Sequence, residues 1–262
     1  MEKVIVVKIG GATLGSHDTA IEDIVELQKQ GKPVLVVHGG GKLITEWLKK
    51  QGVETSFVRG ERVTDGPTLE VATAVLAGLV NKDIVVAING LGGRAVGISG
   101  VDGDVIQGKI EEEEKGYVGA VTEVNTTLLE ALMEAGFIPV VSTIGLNSED
   151  RPAAEPPTLN YNADVVAGEI AAAIGAERLI FLTDVEGVSD GSGKLISLMT
   201  PAEANALLDS GVASGGMIPK VKACLKALTC GSKTCIIDGR QPHALLSEIE
   251  GRSGGTVIQQ ES

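Results

Sequence analysis

The stretch Val4-Ile5-Val6-Val7-Lys8-Ile9-Gly10-Gly11 decides the fold of this chain. A short apolar run that ends in paired glycines predicts a buried β-strand. The run carries one lysine, Lys8, near its carboxyl end, although a buried ammonium group without a partner is costly. Because ligands of open α/β sheets bind beyond the carboxyl ends of the strands, Lys8, Gly10 and Gly11 are the first candidate ligand-binding residues.

Strand and helix patterns alternate outward from this stretch. Residues 34–37 predict a second strand, which ends in three consecutive glycines before a helical pattern begins. A long helix is predicted from about residue 67 to residue 89, and further strands at Ala95–Ser99 and Ile138–Ser142. Helices of about ten residues between strands indicate crossover connections, so the predicted fold class is α/β with a mainly parallel central sheet.

The middle of the chain predicts a change of pattern and a boundary between two lobes. Residues 104–121, with four consecutive glutamates at 111–114, predict an exposed hairpin over the sheet, with the acidic run as a solvated turn. The proline-rich stretch 151–158 predicts a boundary between an N-terminal lobe, 1–155, and a C-terminal lobe, 156–262, on one continuous sheet. The second half repeats the pattern, with strands at 179–183 and 234–237, the latter being the final buried strand, and helices from about 162, at 201–208 and at 219–228.

The composition limits the classes of function that the chain can have. Its formal net charge is -13, its isoelectric point is near 4.7, and no block of Lys and Arg residues occurs. Nucleic-acid binding needs a basic face, so this class is excluded. A binding site for anions must therefore concentrate the few cations of the chain locally.

The N-terminus and the cysteines indicate a cytoplasmic protein. The first strand follows directly after residue 3, so no signal peptide is predicted, and no apolar run approaches the roughly 20 residues that cross a bilayer. Cys224, Cys230 and Cys235 have neither a C-x-x-C spacing nor a nearby histidine. They are predicted to be reduced thiols, and no metal held by the protein is expected.

Two common motifs match the sequence in the wrong context. Gly90-Leu91-Gly92-Gly93-Arg94-Ala95 fits the dinucleotide fingerprint, but it follows a predicted helix and enters a strand, the reverse of the order that this motif requires. Gly251-Arg252-Ser253-Gly254-Gly255 fits the nucleophile elbow of hydrolases, but no histidine follows it in the chain. A dehydrogenase and a serine hydrolase are therefore disfavoured.

Two segments of the first half carry candidate anion-binding residues. His38-Gly39-Gly40-Gly41 joins a strand end to a helix start, where free backbone N–H groups and the helix dipole attract anions. The three glycines leave that backbone open to a ligand. Arg62, in Gly60-Glu61-Arg62-Val63-Thr64-Asp65, can hold a carboxylate through two hydrogen bonds, although a lone arginine is more often a surface residue.

Two segments of the second half supply the remaining charges. Asp164, in Asn160-Tyr161-Asn162-Ala163-Asp164, opens a predicted helix, and by itself it fits a residue that stabilises the helix N-terminus. Pro219 predicts that Lys220 also lies near a helix N-terminus, where a cation is disfavoured unless a polyphosphate binds there. Two lysines and a carboxylate that orients them suggest phosphoryl transfer, which requires no nucleophilic side chain.

Read together, these segments resemble the amino acid kinase family, and within it the members that phosphorylate N-acetyl-L-glutamate. The similarity extends over nearly the whole chain, from residue 7 to residue 258. The segments that carry it are Val-Lys-Ile-Gly-Gly (7–11), Val-His-Gly-Gly-Gly (37–41), Arg-Val-Thr-Asp (62–65), Val-Asn-Lys (80–82), Asn-Tyr-Asn-Ala-Asp (160–164), Leu-Thr-Asp-Val-Glu-Gly-Val (182–188), Gly-Gly-Met-Ile-Pro-Lys (215–220) and Gly-Thr-Val-Ile (255–258).

The resemblance implies a fold, a reaction and a set of site residues. The fold is an open αβα sandwich whose N-terminal lobe binds N-acetyl-L-glutamate and mediates dimerisation, and whose C-terminal lobe binds ATP with Mg²⁺. The implied product is N-acetylglutamyl 5-phosphate, an intermediate of arginine biosynthesis. The implied catalytic residues are Lys8, Lys220 and Asp164, with Asp164 organising both lysines. The implied acid-binding residues are Gly40, Gly41, Arg62 for the α-carboxylate and Asn160 for the acetamido group. The implied nucleotide-binding residues are Gly10, Gly11, Thr183, Asp184, Gly187, Val188, Gly215 and Met217.

Some features of the sequence leave alternatives open. The chain starts at the first strand, without the extra N-terminal helix of arginine-inhibited family members, so a homodimer without strong arginine inhibition is expected. Residues 238–248 resemble the C-terminal segment of inhibited members, which leaves this point open. The main alternative function is a sister kinase that acts on aspartate, carbamate or carrier-linked aminoadipate. The second is an inactive, nucleotide-binding regulatory subunit, against which the retention of Lys8, Asp164 and Lys220 argues.

Overall fold

The computed structural model describes residues 4–10, 19–58, 61–150, 152, 155–252 and 254–260. Its strands are β1 (Ile5–Ile9), β2 (Val34–His38), β3 (Phe57–Val58), β4 (Glu61–Arg62), β5 (Ala95–Ser99), β6 (Ile106–Ile110), β7 (Val118–Val124), β8 (Ile138–Ser142), β9 (Ile144–Asn147), β10 (Thr158–Tyr161), β11 (Arg178–Thr183), β12 (Leu198–Met199), β13 (Lys233–Asp238) and β14 (Thr256–Ile258). Its helices are α1 (Ala20–Lys29), α2 (Gly41–Lys50), α3 (Gly66–Thr73), α4 (Asn81–Gly90), α5 (Thr127–Glu134), α6 (Ala163–Ile174), α7 (Pro201–Asp209), α8 (Met217–Leu228) and α9 (Ala244–Ile249). A π-helical segment, Ala74–Val80, joins α3 to α4.

The largest sheet contains strands from both halves of the chain. Among the described residues it has eight strands in the order β12-β14-β13-β11-β1-β2-β8-β5. The pairs of neighbouring strands are parallel, except for the antiparallel pair β13–β14. β1 lies near the centre because it pairs with β2 on one side and with β11 on the other. The carboxyl ends of β1, β2 and β11 therefore meet at one edge of the sheet.

Helices cover both faces of this sheet. Alternate residues of each strand point to opposite faces, so apolar strands present apolar side chains on both faces, and each face packs against its own layer of helices. Val6 and Phe181 belong to the apolar cluster that includes residues of α5, α6, α7 and α8. Their neighbours Val7 and Ile180 belong to the cluster that includes residues of α1, α2, α3, α4 and α9. The predicted α/β class and the open αβα sandwich are confirmed.

The longest helix runs over Gly66–Gly90 and comprises α3, the π-helical segment and α4. By length and composition alone it could cross a membrane, which corrects the expectation that no segment of the chain could do so. Val75, Leu76 and Ile84 are buried in the cluster that packs on the sheet. The helix is therefore part of the core of the α/β fold.

The region 104–121 belongs to a small barrel and is not an exposed hairpin. β6 and β7 are antiparallel as predicted, but in the described part of the chain they form a closed barrel with β9 and β10. The expectation that residues 111–114 form a solvated turn is confirmed by the exposure of Glu111, Glu113 and Glu114, but it did not include contacts with Lys115. Glu111 and Glu112 form ion pairs with Nζ of the buried Lys115, at 2.8 and 3.1 Å. The closing strands β9 and β10 have four residues each, too few for a clear alternating pattern.

The C-terminal part also contains elements that the sequence analysis did not predict. The strand β13 was expected to be the last, but α9 and β14 follow it, and β14 pairs with β13 in the antiparallel direction. A strand of three residues offers little periodicity to detect. By contrast, the prediction that Gly90 to Ala95 form a turn from a helix into a strand is confirmed, since α4 ends and β5 begins there.

Candidate active site

The charged centre of the site is an ion bridge of two lysines and one aspartate. Nζ of Lys8 lies 2.7 Å from Oδ1 of Asp164, and Nζ of Lys220 lies 3.0 Å from Oδ2 of the same carboxylate. Lys8 and Asp164 are almost completely buried. The structure thus brings together three side chains that come from distant segments of the sequence.

Each residue of the bridge lies at the end of a secondary-structure element. Lys8 is the last residue but one of β1, Asp164 lies in the first turn of α6, and Lys220 lies in the first turn of α8. α6 and α8 pack against each other on the same face of the sheet. A helix N-terminus repels a cation, and the ion pair with the Asp164 carboxylate offsets this repulsion for Lys220.

The bridge keeps a carboxylate charged and leaves an excess of positive charge. Burial by itself raises the pKa of the Asp164 carboxyl, but the ammonium groups of Lys8 and Lys220 outweigh it and hold that pKa below its usual value. Nζ of Lys220 also donates a hydrogen bond to the Gly216 carbonyl at 3.1 Å. Two ammonium groups against one carboxylate give this part of the site a net positive charge, which attracts anionic ligands.

A cavity of about 280 Å³ opens beside Lys8. We call it the Lys8 cavity. Its lining includes the predicted site residues Lys8, Gly40, Gly41, Arg62, Asn160 and Asp164. Among the described residues, none of those predicted to bind the nucleotide is part of this lining. The predicted site therefore divides into a half that surrounds the Lys8 cavity and a half that lies outside it.

Arg62 has an unused donor at the Lys8 cavity. Its Nη2 donates hydrogen bonds to the Gly41 carbonyl at 3.0 Å and to Oγ1 of Thr45 at 2.7 Å, and its Cζ lies 4.9 Å from the centre of the Phe57 ring. Its Nη1 is buried and has no hydrogen-bond partner among the described residues. Burial lowers the pKa of the Arg62 guanidinium from its usual value. A ligand carboxylate at Nη1 would offset both the burial and the missing hydrogen bond.

The segment Arg-Val-Thr-Asp lines the Lys8 cavity through Arg62, and its other polar residues support that lining. Oδ1 of Asp65 accepts a hydrogen bond from the Thr68 N–H at 2.9 Å and so caps α3. The hydroxyl of the buried Thr64 donates to the Arg62 carbonyl at 3.2 Å and accepts from Nδ2 of Asn160 at 3.3 Å. Thr64 therefore links Arg62 and Asn160, the two residues expected to hold polar groups of the acid.

The glycine run supplies backbone donors to the same cavity. α2 begins at Gly41 with Gly40 as its N-cap, and the first N–H groups of a helix have no partner within the helix. A Cβ atom added to Gly40 would lie 2.7 Å from Cδ2 of Leu76, so a side chain there would require Leu76 to move. A Cβ added to Gly41 would meet nothing within 4 Å, so that position is open to a ligand.

The residues predicted to bind the nucleotide lie beside the ion bridge. Gly10 follows β1, and its N–H donates to the Leu182 carbonyl at 3.3 Å. Thr183 ends β11, the exposed Asp184 follows it, and Met217 begins α8, the helix that carries Lys220. Gly215 has a φ of 52°, which favours glycine over other residues. Gly11 lies outside the described residues.

Several of these nucleotide-side residues are held by the protein itself. The Thr183 hydroxyl contacts the carbonyl oxygens of Val185 and Ile237, at 2.9 and 3.1 Å. The Val188 N–H donates to Oγ1 of Thr256 at 2.8 Å, and a Cβ added to Gly187 would lie 2.6 Å from that oxygen. Thr183, Gly187 and Val188 therefore fix the course of the loop after β11, since the Thr183 hydroxyl and the Val188 N–H have partners in the protein and Gly187 leaves room for Thr256.

Sequence reasoning left four contributing residues without a role: His38, Thr45, Thr64 and Asn81. His38 and Asn81 are polar residues inside apolar patterns, and this signal could have marked them as buried polar groups. Thr64 lies inside a segment that was singled out only for Arg62. Thr45 faces Arg62 from the next turn of α2, and nothing in the sequence pattern indicates that contact.

Comparison with known proteins gives a consistent result. The model of the amino acid kinase family matches residues 3–238 of the chain. The chain is 49% identical over 258 residues to an acetylglutamate kinase of Dehalococcoides mccartyi, covering 98% of this chain and 95% of that relative. It is 48% identical over 265 residues to an acetylglutamate kinase of Nostoc sp., covering 98% and 87% of the two chains. Among solved structures, it is similar to N-acetylglutamate synthase from Neisseria gonorrhoeae complexed with coenzyme A and N-acetyl-glutamate, with a TM-score of 0.84 and 25% identity over 99% of this chain and 60% of that one.

Proposed function

The chain belongs to the amino acid kinase family, and from this membership we propose that it transfers the γ-phosphoryl group of ATP to the γ-carboxylate of N-acetyl-L-glutamate. The product is N-acetylglutamyl 5-phosphate, an intermediate of arginine biosynthesis. Two relatives named acetylglutamate kinase support this choice of substrate, since nearly half of the aligned residues are identical in each case.

The observation that carries the proposal is the ion bridge at the edge of the Lys8 cavity. Lys8 and Lys220 approach one carboxylate, Asp164, from two different elements, so their ammonium groups are held at fixed positions. In phosphoryl transfer the charge on the transferred group is spread over its oxygens, and positioned cations stabilise it. Lys8 and Lys220 act as those cations, and Asp164 organises both of them.

The acid is proposed to occupy the Lys8 cavity. Its α-carboxylate pairs with the unpartnered Nη1 of Arg62, and its acetamido group binds at Asn160. The γ-carboxylate then faces Lys8 and the N–H groups of Gly40 and Gly41. This orientation brings the reacting oxygen to the positively charged side of the cavity, where the phosphoryl group arrives.

ATP is proposed to bind on the other side of the bridge, as its complex with Mg²⁺. Gly10 and Gly11 approach its phosphates, and Thr183, Asp184, Gly187 and Val188 shape the loop along which it lies. Gly215 and Met217 contribute the start of α8. Mg²⁺ arrives with the nucleotide and is part of the substrate.

We further propose a cytoplasmic homodimer, as the resemblance implies. Leu79 and Val86 expose apolar side chains on the Gly66–Gly90 helix, so they are candidate contacts between two copies. Light scattering on the purified protein is expected to give twice the chain mass of 26.9 kDa. A monomer or a hexamer would contradict the homodimer.

The proposed reaction is tested by trapping the acyl phosphate with hydroxylamine. The assay contains ATP, Mg²⁺ and one acid at a time: N-acetyl-L-glutamate, glutamate, aspartate, carbamate or aminoadipate. We expect strong turnover with N-acetyl-L-glutamate and little with the other acids. Turnover with a different acid would contradict the roles given to Arg62 and Asn160. No turnover with any of the acids, despite ATP binding, would favour a regulatory subunit.

A further inference from the structure

His38 and Asn81 form a buried polar pair that the proposed chemistry does not use. Both side chains are fully buried, at 0% exposure. Nδ2 of Asn81 lies 3.1 Å from Nε2 of His38, and Nδ1 of His38 lies 3.0 Å from the Gly39 carbonyl oxygen. Gly39 is the first residue of the glycine run that lines the Lys8 cavity. The pair is therefore joined by a hydrogen bond to the backbone of the candidate active site.

The surroundings of Asn81 fix the orientation of its amide. Nδ2 lies 2.9 Å from the Val140 carbonyl oxygen and 3.2 Å from that of Ile98, and carbonyl oxygens only accept hydrogen bonds. Oδ1 accepts a hydrogen bond from Nζ of Lys82 at 2.9 Å. The Asn81 atom that faces His38 is therefore the NH₂ group, a donor.

This orientation selects one tautomer of His38. The Asn81 NH₂ group cannot accept a hydrogen bond from Nε2, and the Gly39 carbonyl can only accept one, so the ring proton of the neutral imidazole lies on Nδ1, which donates to the Gly39 carbonyl. Burial lowers the pKa of His38 to about 4, the Gly39 hydrogen bond opposes this effect, and the charges of Lys8 and Lys82 add to it. The imidazole is therefore neutral near neutral pH, as the tautomer requires.

The hydrogen bond to Gly39 determines where the next N–H group points. In a trans peptide the C=O and the following N–H point in opposite directions. A peptide between two glycines has unusual rotational freedom, so it needs an external constraint to keep one orientation. With the Gly39 C=O turned to the imidazole, the Gly40 N–H points to the opposite side.

Two neighbouring elements are built around this pair. The π-helical segment Ala74–Val80 directly precedes Asn81, and π-helical turns often occur at functional sites. The same segment packs on Gly40 through Leu76. On β5, a Cβ added to Gly97 would lie 2.0 Å from Oδ1 of Asn81, so a glycine is needed there for the amide to fit.

We propose that His38 and Asn81 are positioning residues that hold the Gly39–Gly40 peptide with the Gly40 N–H directed at the phosphoryl group in transfer. This inference rests on the proposed function. The alternative is that the pair only fastens α4 to the sheet. If the pair positions the peptide, kcat depends on the hydrogen bond from His38 to Gly39. If the pair only holds α4 on the sheet, the hydrogen bond from Asn81 to His38 contributes to stability and neither bond affects kcat separately.

Two substitutions separate these hydrogen bonds. His38→Asn places an amide nitrogen near the position of Nδ1, so it can keep the donor to Gly39 but loses the contact with Asn81. His38→Gln reaches the position of Nε2, so it can keep a partner for Asn81 but loses the donor to Gly39. We expect His38→Gln to lower kcat at least about tenfold, as for loss of an oriented backbone donor, and His38→Asn to retain at least about a third of wild-type kcat.

Melting temperatures of both variants are measured beside kcat, because a lost buried hydrogen bond lowers stability in either case. The positioning role predicts that kcat follows the Gly39 donor and not the melting temperature. If His38→Asn is as inactive as His38→Gln, or if kcat of both variants falls in proportion to their melting temperatures, the pair only holds α4 on the sheet and the proposal is overturned.

Nitrogen-15 NMR of the wild-type protein tests the geometry without any substrate. The chain has three histidines, so the ring of His38 can be assigned by comparison with the His38→Asn variant. We expect its Nδ1 to be protonated and its Nε2 to be the acceptor at neutral pH. An Nε2–H tautomer would refute the positioning role and leave the proposed function standing, whereas a wild-type enzyme that forms no acyl phosphate would refute the proposed function whichever tautomer is found.

Discussion

The two halves of the candidate site differ in what they present to a ligand. Around the Lys8 cavity, Arg62 keeps a buried Nη1 without a partner among the described residues, and the start of α2 offers backbone N–H groups. On the nucleotide side, the Thr183 hydroxyl and the Val188 N–H already have partners in the protein. The half proposed to bind the acid offers unused donors, and the half proposed to bind the nucleotide offers the shape of a loop.

This difference predicts two kinds of mutational response. A substitution at the Lys8 cavity removes a group that contacts substrate, so it changes a rate or an affinity directly. A substitution near the loop after β11 acts through the course of the backbone, so it changes nucleotide affinity and stability together. The ion bridge lies between the halves, and damage to it is expected to affect the chemical step most.

The largest effect is expected for Lys8→Ala. It removes one of the two cations that stabilise the transferring phosphoryl group, so kcat is expected to fall about 10²-fold or more in the acyl phosphate assay. It also leaves Asp164 with a single ammonium partner. The matched control is Lys226→Ala, because Lys226 forms an exposed pair with Glu169 on the same α6 helix, at 2.9 Å. Such a pair contributes at most about 1 kcal/mol, and kcat of the control is expected to be unchanged. An active Lys8→Ala enzyme would remove Lys8 from the mechanism.

A smaller effect, confined to the acid-binding half, is expected for Arg62→Lys. Lysine keeps the charge but loses the planar fork, so we expect KM for the acid to rise about tenfold or more while KM for ATP changes little. Arg94→Lys is the control, because Arg94 also stacks on a phenylalanine, with Cζ 4.4 Å from the Phe137 ring centre, and it is not among the residues that line the Lys8 cavity. An equal rise in both KM values would mean that Arg62 supports the fold and does not bind the acid.

The smallest effect is expected on the nucleotide side, for Thr256→Val. The Thr256 hydroxyl accepts from the Val188 N–H and donates to the Ile196 carbonyl, and its loss leaves a buried N–H group unsatisfied at a cost of about 1–3 kcal/mol. We expect a lower melting temperature and a KM for ATP raised about threefold, with KM for the acid unchanged.

Thr234→Val is the matched control for this variant. Thr234 is also fully buried, and its hydroxyl donates to the Ile258 carbonyl at 2.9 Å, which belongs to β14 and not to the loop after β11. It is expected to lower stability without changing KM for ATP. If both variants alter KM for ATP equally, the loop has no special role in nucleotide binding.

The sequence predicted the parts of the fold whose patterns are long. Buried strands of five or six residues next to amphipathic helices led directly to the α/β class with a mainly parallel sheet, and the resemblance to the family supplied the open αβα sandwich. The four-stranded barrel and β14 were missed, since strands of three or four residues carry almost no periodicity. The ion pairs between the acidic run at 111–114 and Lys115 were not predicted, because Lys115 is buried by tertiary contacts that no local pattern records.

Residues of the candidate site could be predicted where a charged side chain occupies a position that is energetically unfavourable for it. A lysine inside a buried strand and a lysine at a helix N-terminus are both unfavourable alone, and this pointed to Lys8 and Lys220. Thr45 could not be found in this way, because it is an ordinary exposed residue of α2 that meets Arg62 only in the folded chain. His38 could have been found by the same rule, since a buried histidine also needs a partner.

The central claim is that the Asp164 bridge acts in the chemical step, and Asp164→Asn tests it most directly. The measurement is kcat together with the dissociation constant for ATP, with Glu169→Gln on the same helix as the control. Asparagine keeps the shape but removes the charge that holds Lys8 and Lys220, so we predict that kcat falls about 10²-fold or more. ATP should bind at least as tightly as before, because the site becomes more positive. Wild-type kcat in a merely destabilised variant would contradict the account and reduce Asp164 to a residue that stabilises the start of α6.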